Sequence, residues 1–235
     1  MLILHLKRKN MLNKSYLRGF TLTEILVTLT IIGIVAALTI PVIIQNIQTI
    51  QNKAAFKKVY ADLDQATRRI LIDYGGTING ICAQATALER NRCIRDKYLE
   101  YLNYSKKCSS DDEDLSWDNC FVMTAADGGE WKNLDNTNPI IGQDASAILS
   151  NGVLIHTWLR TSGCTSGENE INNICARIIV DVNGFKKPNV TGKDIFLIHL
   201  VEQGIKPYGT QGDDYECTTT SDGWGCAAAY LLNNE

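Results

Sequence analysis

A chain of 235 residues is long enough for one sizeable core, and about 100 to 200 residues per domain predicts one globular domain with an appendage. The net charge of −3 includes five basic residues before Gly19, and no acid precedes it: Lys7, Arg8, Lys9, Lys14 and Arg18. Without these five, 18 basic and 26 acidic residues remain, a net charge of −8. This balance argues against a general nucleic-acid-binding protein, which needs a basic face to displace counterions.

A long apolar segment follows the basic N-terminus. Ile25–Ile44 form twenty consecutive positions without a charge, about the number that a helix needs to cross a membrane. The positive-inside rule keeps the basic residues in the cytoplasm and places residues after about 45 outside. An ordinary secretory signal peptide is disfavoured, because the apolar segment is too long, Glu24 stands at its start, and no small-x-small cleavage site follows it.

The helical period continues beyond the apolar segment. Apolar residues recur every three to five positions, at Ile47, Ile50, Ala54, Val59, Leu63, Ala66, Ile70 and Tyr74. This spacing predicts an amphipathic helix with one buried stripe, ended by Gly75-Gly76. Pro41 lacks a backbone donor, which predicts a bend or a local loosening. A second helix is expected over about Cys82–Leu102, and the Asp-, Asn-, Ser- and Gly-rich segment Cys108–Pro139 is expected to be mostly surface loop.

Strand signals appear late in the chain. Three segments have the composition of strands: 152–160, 176–182 and 194–201. Asn183-Gly184, followed by Phe-Lys-Lys, predicts a hairpin with a primed turn, and Gly204 and Pro207 are expected to end the last strand. A short helix is expected from Cys226. Three or four antiparallel strands can bury one face against the amphipathic helix, which predicts an α+β fold.

The eight cysteines lie after the apolar segment, at Cys82, Cys93, Cys108, Cys120, Cys164, Cys175, Cys217 and Cys226. An even number on one side of a membrane span predicts disulfides in an oxidising compartment. Zinc is the weaker alternative, because structural zinc sites favour ligand pairs two to four residues apart. The closest pair here, Cys217 and Cys226, is nine residues apart.

The stretch RGFTLTEILVTLTIIGIVAALTIP, residues 18–41, resembles the N-terminal region of type IV pilins and type II secretion pseudopilins. The resemblance rests on a basic leader, Gly19 before Phe20, Glu24 at the fifth position after Gly19, and an apolar run interrupted by Pro41. It implies cleavage after Gly19 by a membrane aspartyl prepilin peptidase, methylation of the Phe20 amine, and polymerisation into a helical filament. A side chain at position 19 would crowd a protease that holds the extended chain.

The pilin fold that this resemblance implies is one long N-terminal helix packed on a small antiparallel sheet. The predicted parts are a leader (1–19), a transmembrane and assembly helix (20–50) and an extracytoplasmic head (51–235). A start at Met1 gives a leader of 19 residues, whereas Met11 gives the more usual nine. The later stretch DVNGFKKPNVTGKDIFLIHLVEQGIKP looks like the sheet region of some pilin-like proteins.

Glu24 has two compatible interpretations. Thr21 and Glu24 fit a capping box, in which the hydroxyl and the carboxylate bind free amides at a helix start. A carboxylate entering an apolar environment is also costly and indicates a functional partner. The expected partner is the Phe20 ammonium group of a neighbouring subunit, and we favour this pairing over capping alone.

Candidates for metal binding and catalysis are weak. Asp181, Asn183 and Asp194 can supply oxygen ligands to Ca²⁺, and some pseudopilins bind calcium, but their spacing does not fit an EF-hand. A hairpin turn explains Asn183 more simply, so no cofactor or metal is expected. The histidines are His5, His156 and His199; the last two are expected as partly exposed or hydrogen-bonded strand residues. No spacing indicates a catalytic site, and we expect no enzymatic activity.

The expected function is structural. The subunit would sit in the inner membrane with its N-terminus in the cytoplasm, and then enter a cell-surface or periplasmic filament of like subunits. A separate cytoplasmic ATPase would drive this step. Type IV pilus and type II pseudopilus remain alternatives, as does a bitopic membrane protein with a binding domain that never polymerises.

Eight cysteines allow 105 disulfide connectivities, and we favour sequence neighbours. The expected pairs are Cys82–Cys93, Cys108–Cys120, Cys164–Cys175 and Cys217–Cys226. The last pair follows best from the resemblance, because a bridge near the C-terminus is common in pilin-like heads.

Overall fold

The computed structural model of the protein describes residues 19–83, 86–108, 120, 130–139, 145–159, 163–168, 171–210 and 216–232. The chain divides into two compact units, Met1–Asn46 and Ile47–Glu235. The helices are α1 (Leu22–Asp73), α2 (Ala87–Leu99) and α3 (Cys226–Leu232). The strands are β1 (Tyr104–Lys107), β2 (Ala145–Leu149), β3 (Leu154–Leu159), β4 (Ser166–Glu168), β5 (Ile171–Asp181), β6 (Ile195–Val201) and β7 (Gly204–Pro207). The domain boundaries at residues 19 and 50 stay predictions.

The strands form one antiparallel sheet in the second unit, which we call the head. The strand order is β1-β2-β3-β5-β6-β7, and β4 pairs with β5. With the long apolar N-terminal helix, this sheet makes an α+β fold that is consistent with the predicted pilin fold. The prediction of three or four strands was too low, because β1, β2, β4 and β7 have at most five residues each and little strand signal. Gly204 and Pro207 bound β7 instead of ending the preceding strand.

The amphipathic part of α1 buries one stripe in the core of the head. Its buried residues are Asn52, Phe56, Val59, Leu63, Ala66, Thr67 and Ile70. The Phe56 and Phe196 rings stack with centroids 4.2 Å apart, and the hydroxyl groups of Thr67 and Tyr98 lie 2.7 Å apart. The predicted stripe is confirmed over residues 59–70. It was wrong for four members. Ile47, Ile50 and Tyr74 are exposed because the head covers α1 only from Asn52 to Ile70, and Ala54 is exposed because it lies off the buried stripe.

The predicted stop of the amphipathic helix is confirmed. Helix α1 ends at Asp73, and Gly75 has φ +79°, the left-handed conformation that glycine adopts most readily. The Gly76 N–H donates to the Leu71 carbonyl at 2.6 Å, the bond expected of a Schellman cap. Pro41 lies inside α1, which continues on both sides of it, so the expected bend stays a prediction.

Helix α2 is shorter than predicted at both ends. Thr86 is its N-cap: the Thr86 hydroxyl accepts from the Glu89 N–H, and the Glu89 carboxylate accepts from the Thr86 N–H. This reciprocal capping box places the helix start at Ala87, after Cys82. Helix α3 begins at Cys226, as predicted.

The connection from β5 to β6 is not the predicted hairpin. A type I′ turn needs positive φ at both central residues, but of Asn183 and Gly184 only Gly184 has it, at +71°. Residues 185–187 form no strand, and β5 pairs instead with β6, with Asp181 opposite Ile195. The predicted strands over 152–160 and 194–201 correspond to β3 and β6.

The structure pairs all eight cysteines, and the four pairs are those favoured from the sequence: Cys82–Cys93, Cys108–Cys120, Cys164–Cys175 and Cys217–Cys226. Much of the predicted loop from Cys108 to Pro139 lies outside the described residues. Its described end is not all surface, because the Trp131 side chain is fully buried and its indole N–H donates to the Thr191 hydroxyl at 2.9 Å.

Candidate functional site

The predicted cleavage position lies directly before α1. Gly19 and Phe20 precede the first helical residue, Leu22, and the Phe20 side chain is 82% exposed. A Cβ atom added at Gly19 would meet no atom within 4 Å, so the fold itself does not demand glycine there. The leader residues 1–18, including both candidate starts, Met1 and Met11, lie outside the described residues. The assignment of Gly19 and Phe20 as processing residues stays a prediction.

Glu24 forms the capping box that its spacing indicates. Its carboxylate accepts from the Thr21 N–H at 2.8 Å and from the Thr21 hydroxyl at 2.9 Å. The Glu24 N–H in turn donates to the Thr21 hydroxyl oxygen at 3.2 Å. One carboxylate oxygen makes both contacts, which leaves the second oxygen of Glu24 for another partner. Capping is therefore present, and the pairing with a neighbouring subunit stays a prediction.

The first part of α1 exposes its apolar side chains in every direction. Every Leu, Ile and Val from Leu22 to Ile50 is at least 41% exposed. By length and composition α1 can cross a membrane, and among the described helices it alone meets that criterion. Contiguous apolar surface of this extent marks contact with lipid or with another protein. One apolar N-terminal helix fits anchoring in the inner membrane.

The threonines of the apolar segment carry their own hydrogen-bond partners. The hydroxyl of Thr28 donates to the Ile25 carbonyl at 2.9 Å, three residues before it. Thr30 and Thr39 donate to the carbonyls four residues before them, at 2.8 and 2.9 Å. In lipid an unpaired hydroxyl would cost free energy, whereas these are satisfied within the helix. The segment therefore suits an apolar environment in spite of its polar residues.

The structure brings the three calcium candidates together in the β5–β6 connection. Asp181 ends β5, and Asp194 directly precedes β6; both are fully buried. The Asp194 carboxylate accepts from the N–H groups of Asn189 (2.8 Å) and Val190 (2.7 Å) and from the Asn183 side-chain amide (3.1 Å). The Asn183 N–H donates to Asp181 at 3.1 Å. Asn189 was not among the candidates from the sequence, because it joins the cluster only in the folded loop.

Two buried carboxyl groups, those of Asp181 and Asp194, lie close together in this connection. Burial, and then the neighbouring Asp194 carboxylate, raise the pKa of Asp181 to about 8. Burial also raises the pKa of Asp194, against the opposing effect of its amide donors. Among the described residues no Lys, Arg or His forms an ion pair with either group. Nor does that part of the chain group three His, Cys, Asp or Glu side chains as metal ligands, so any ion here would need amide oxygens as well.

The two histidines of the head are buried strand residues. His156 is 1% exposed, and its Nδ1 lies 2.8 Å from the Ser146 hydroxyl. His199 is fully buried, and its ring stacks on Tyr208 with centroids 4.4 Å apart. The expected hydrogen bond holds for His156, but partial exposure was wrong for both: each side chain is at most 1% exposed, and the Tyr208 ring lies on that of His199. His5 lies outside the described residues, and the absence of enzymatic activity stays a prediction.

A cleft of about 530 Å³ opens on the sheet face opposite Phe56. Its lining combines aromatic, acidic and amide side chains: Asn133, Asp135, Thr137, Asn138, Trp158, Arg177, Ile179, Leu197, Tyr208, Asp222 and Trp224. The Arg177 guanidinium lies 5.3 Å from the centroid of the Trp158 ring and 5.4 Å from that of Tyr208. Its volume lies within the range of small-molecule sites, but it is open to solvent and more polar than most of them. The sequence did not predict it, because its residues come from several strands and two loops.

Comparison with known proteins identifies one feature of the chain. Residues 15–40 match the family model of the prokaryotic N-terminal methylation motif, the hallmark of type IV pilins and pseudopilins. This match confirms the resemblance seen around Gly19, Phe20 and Glu24. It supports a type IV pilin-like or pseudopilin protein that is processed by prepilin peptidase. Neither the curated proteins nor the solved structures include a match to this chain.

Proposed function

We propose that the chain is the precursor of a structural subunit of a type IV pilus-like or type II secretion pseudopilus filament. The observation that carries this proposal is the exposure of every Leu, Ile and Val from Leu22 to Ile50, on a helix that bears the methylation motif. A lipid bilayer covers such a surface before assembly, and the helices of neighbouring subunits can cover it afterwards. The role is structural rather than enzymatic.

The proposed assembly contact pairs Glu24 with the Phe20 ammonium group of a neighbouring subunit. Cleavage after Gly19 would create that ammonium group four residues before Glu24, at the end of the exposed apolar segment. One Glu24 carboxylate oxygen is engaged by Thr21, and the other is available to the neighbour. Attraction between unlike charges strengthens as water is excluded, so this pairing can favour docking and fix the axial register of subunits.

The proposed topology follows from charge and from the cysteines. The basic leader stays in the cytoplasm, and the head with its four disulfides lies outside the inner membrane, where disulfides persist. Subunits then leave the membrane for a cell-surface or periplasmic filament. A cytoplasmic ATPase supplies the energy for this step.

Substitution at the cleavage position tests the proposal. Gly19→Leu should block removal of the leader and, with it, entry into fibres, while membrane insertion is retained. The matched control is Gly33→Leu, which also meets open space in the fold but lies inside the apolar helix and should be cleaved normally. Electrophoretic mobility of the membrane-bound protein reports cleavage, and its amount in the sheared fraction reports assembly.

The results distinguish a filament subunit from a bitopic membrane protein that never polymerises. Cleavage of the Gly19→Leu variant at the parental rate would contradict processing at this bond. The second outcome is normal cleavage of the parent protein without its appearance in sheared or periplasmic fibres, although the other filament-assembly proteins are present. This result would favour a bitopic protein that never polymerises. Dependence of fibre formation on retraction genes or on secretin genes then distinguishes pilus from pseudopilus.

A further inference from the structure

The cleft of about 530 Å³ on the outer face of the sheet is not explained by a role in a filament. The sheet contributes side chains from neighbouring strands, among them Trp158 in β3 and Arg177 and Ile179 in β5. Trp158 lies opposite Arg177 in the strand register, and Ile179 shares the face of Arg177 because it follows two residues later. Two loops, residues 133–138 and 222–224, complete the lining. The cleft is therefore formed by segments that come together only in the folded head.

Two tryptophans present part of their rings to this cleft. Trp158 and Trp224 are both half-buried. The Trp224 ring packs edge-on against the buried Trp131 ring, with centroids 5.9 Å apart, and its centroid lies 6.4 Å from that of Tyr208. These contacts hold the Trp224 ring in place. A fixed, partly accessible indole ring suits a ligand that has an apolar face of its own.

The Arg177 guanidinium is a fixed group of donors in the cleft. The side chain is 9% exposed, and the guanidinium lies over the Trp158 ring, 5.3 Å from its centroid, and over the Tyr208 ring at 5.4 Å. Such stacking on aromatic rings restrains the planar group. Because a guanidinium has only donors, it favours a ligand with hydrogen-bond acceptors. It also covers part of Trp158, so Trp224 is the ring that offers more surface to a ligand.

Two carboxylates in the loops supply acceptors. Asp135 Oδ1 accepts from the Thr137 N–H at 2.9 Å and from the Thr137 hydroxyl at 2.6 Å, and Asp222 Oδ1 accepts from the Trp224 N–H at 3.0 Å. These bonds engage Oδ1, which leaves Oδ2 of each carboxylate for a ligand. Burial raises the pKa of Asp222, and the neighbouring Asp135 carboxylate raises it further, against the effect of the Trp224 N–H. The two carboxylates therefore lie near each other in the cleft.

These groups together favour one class of ligand. A cation on the rings would be repelled by Arg177, and an anion would be repelled by Asp135 and Asp222. A wholly apolar molecule would remove water from both carboxylates without replacing its hydrogen bonds, which costs free energy. A neutral sugar avoids these costs. Its hydroxyl groups can donate to a carboxylate and accept from a guanidinium, while its C–H groups form an apolar face for an indole ring.

We propose that the cleft binds a neutral pyranose unit of a glycan, with the C–H face of the sugar on the Trp224 ring. Asp135 Oδ2 and Asp222 Oδ2 accept from the sugar hydroxyl groups, and the Arg177 guanidinium donates to them. The open form of the cleft suits one unit of a longer chain, because the chain can continue into solvent. Sugar binding goes beyond the filament role and does not depend on it, since every lining residue belongs to the head.

Saturation-transfer NMR on the full-length protein tests the proposal, in a detergent without a sugar headgroup. The probes are the methyl glycosides of D-glucose, D-galactose, D-mannose and N-acetyl-D-glucosamine, each of which imitates one unit of a glycan. At least one probe should show saturable transfer to its ring protons, whereas sorbitol, which has hydroxyl groups but no ring, should show none. The absence of a saturable signal with all four glycosides, or an equal signal with sorbitol, would overturn the proposal.

Charged sugars test the choice of ligand class. The comparison uses the methyl glycosides of the amino sugar and of the uronic acid that have the same configuration as the best neutral probe. Both should bind more weakly than the neutral sugar, because Arg177 repels the ammonium group and the two aspartates repel the carboxylate. Tighter binding of either charged sugar would contradict a site for a neutral one.

Two variants locate the sugar. Asp135→Asn keeps an oxygen for the Thr137 turn but replaces the acceptor Oδ2 with an amide donor, so affinity should fall about tenfold. Trp224→Ala removes the stacking ring and should weaken binding at least as much. Glu216→Gln, an exposed acid outside the cleft, is the matched control and should bind as the parent does.

Far-ultraviolet circular dichroism checks that each variant is folded. Asp135 is exposed, so Asp135→Asn decides the outcome if Trp224→Ala does not fold. Parental affinity in each of the two variants that folds would place the sugar elsewhere and contradict the proposal.

Discussion

The two parts of helix α1 differ in what covers their large apolar side chains: those of Leu22–Ile50 are exposed, whereas those of Asn52–Ile70 pack in the head. Between Leu22 and Ile50 all Leu, Ile and Val side chains are exposed, and the polar threonines bond within the helix. Between Asn52 and Ile70 the helix buries one stripe and leaves the other side polar. A helix that is apolar all round needs partners on all sides, whereas an amphipathic helix needs one core. The first part therefore needs lipid or another protein to cover it, whereas the second part packs on its own head.

Two capping boxes allow this contrast to be tested. Thr21 and Glu24 begin α1, and Thr86 and Glu89 begin α2, with the same three hydrogen bonds in each. The corresponding distances differ by at most 0.3 Å, being 2.8, 2.9 and 3.2 Å in the first box and 3.1, 2.9 and 3.2 Å in the second. Local helix chemistry is thus alike at both sites, and any difference in their function comes from what surrounds them.

Substitution of Glu24 should have the largest effect, a loss of fibre yield. Glu24→Gln keeps a residue that can serve a capping box but removes the charge. Because the charge is proposed to pair with Phe20 of a neighbour, the variant should lose most of its fibre yield at equal membrane levels. Glu89→Gln makes the same change in the other box and should assemble normally. Fibre yield is measured by shearing and immunoblotting. Equal yields for parent and Glu24→Gln would reassign Glu24 to capping alone.

The next effect concerns the stability of the head. Phe56→Ala removes a fully buried ring that stacks on Phe196 and should lower the free energy of unfolding by about 3 to 5 kcal/mol. Leu29→Ala, in the exposed part of the same helix, should leave head unfolding unchanged. Denaturant titration in detergent, followed by tryptophan fluorescence, measures both. A loss at Leu29 as large as that at Phe56 would show that the two parts are not independent.

A smaller effect is expected at the N-cap of α2. Thr86→Ala removes the hydroxyl that accepts from the Glu89 N–H, which should cost about 0.5 to 2 kcal/mol of head stability. Thr21→Ala makes the same change at α1, outside the head, and should not alter head unfolding. The same denaturant titration compares the two variants. A null result for Thr86→Ala would mean that the head tolerates the loss of this cap.

The features that the sequence predicted correctly depend on local chemistry. The stop of α1 depends on Gly75 and Gly76, the cap at Glu24 on Thr21 three residues earlier, and the disulfide pairs on cysteines nine to twelve residues apart. The apolar period also placed the buried stripe over residues 59–70. Neighbours along the chain supply the first three interactions, and the stripe was predictable because the helical period is itself a local property.

The features that the sequence did not predict correctly depend mainly on contacts between distant segments. Asn183-Gly184 has the composition of a hairpin turn, but Asp194 binds the amides of Asn183, Asn189 and Val190 and folds the connection differently. Composition cannot reveal this, because Asp194 is eleven residues from Asn183. Phe56, by contrast, was not assigned to the stripe although it lies three residues before Val59, so the local period could have found it.

We expect that this chain is cut after Gly19 and that neighbouring subunits then cover its exposed apolar helix in a fibre. Mass spectrometry of the N-terminal peptide from sheared fibres tests it most directly. The peptide should begin with N-methylated Phe20, and no leader peptide should be found in the fibre fraction. Fibres that contain the chain with its leader intact, or a mature N-terminus beyond Ile44, would contradict it.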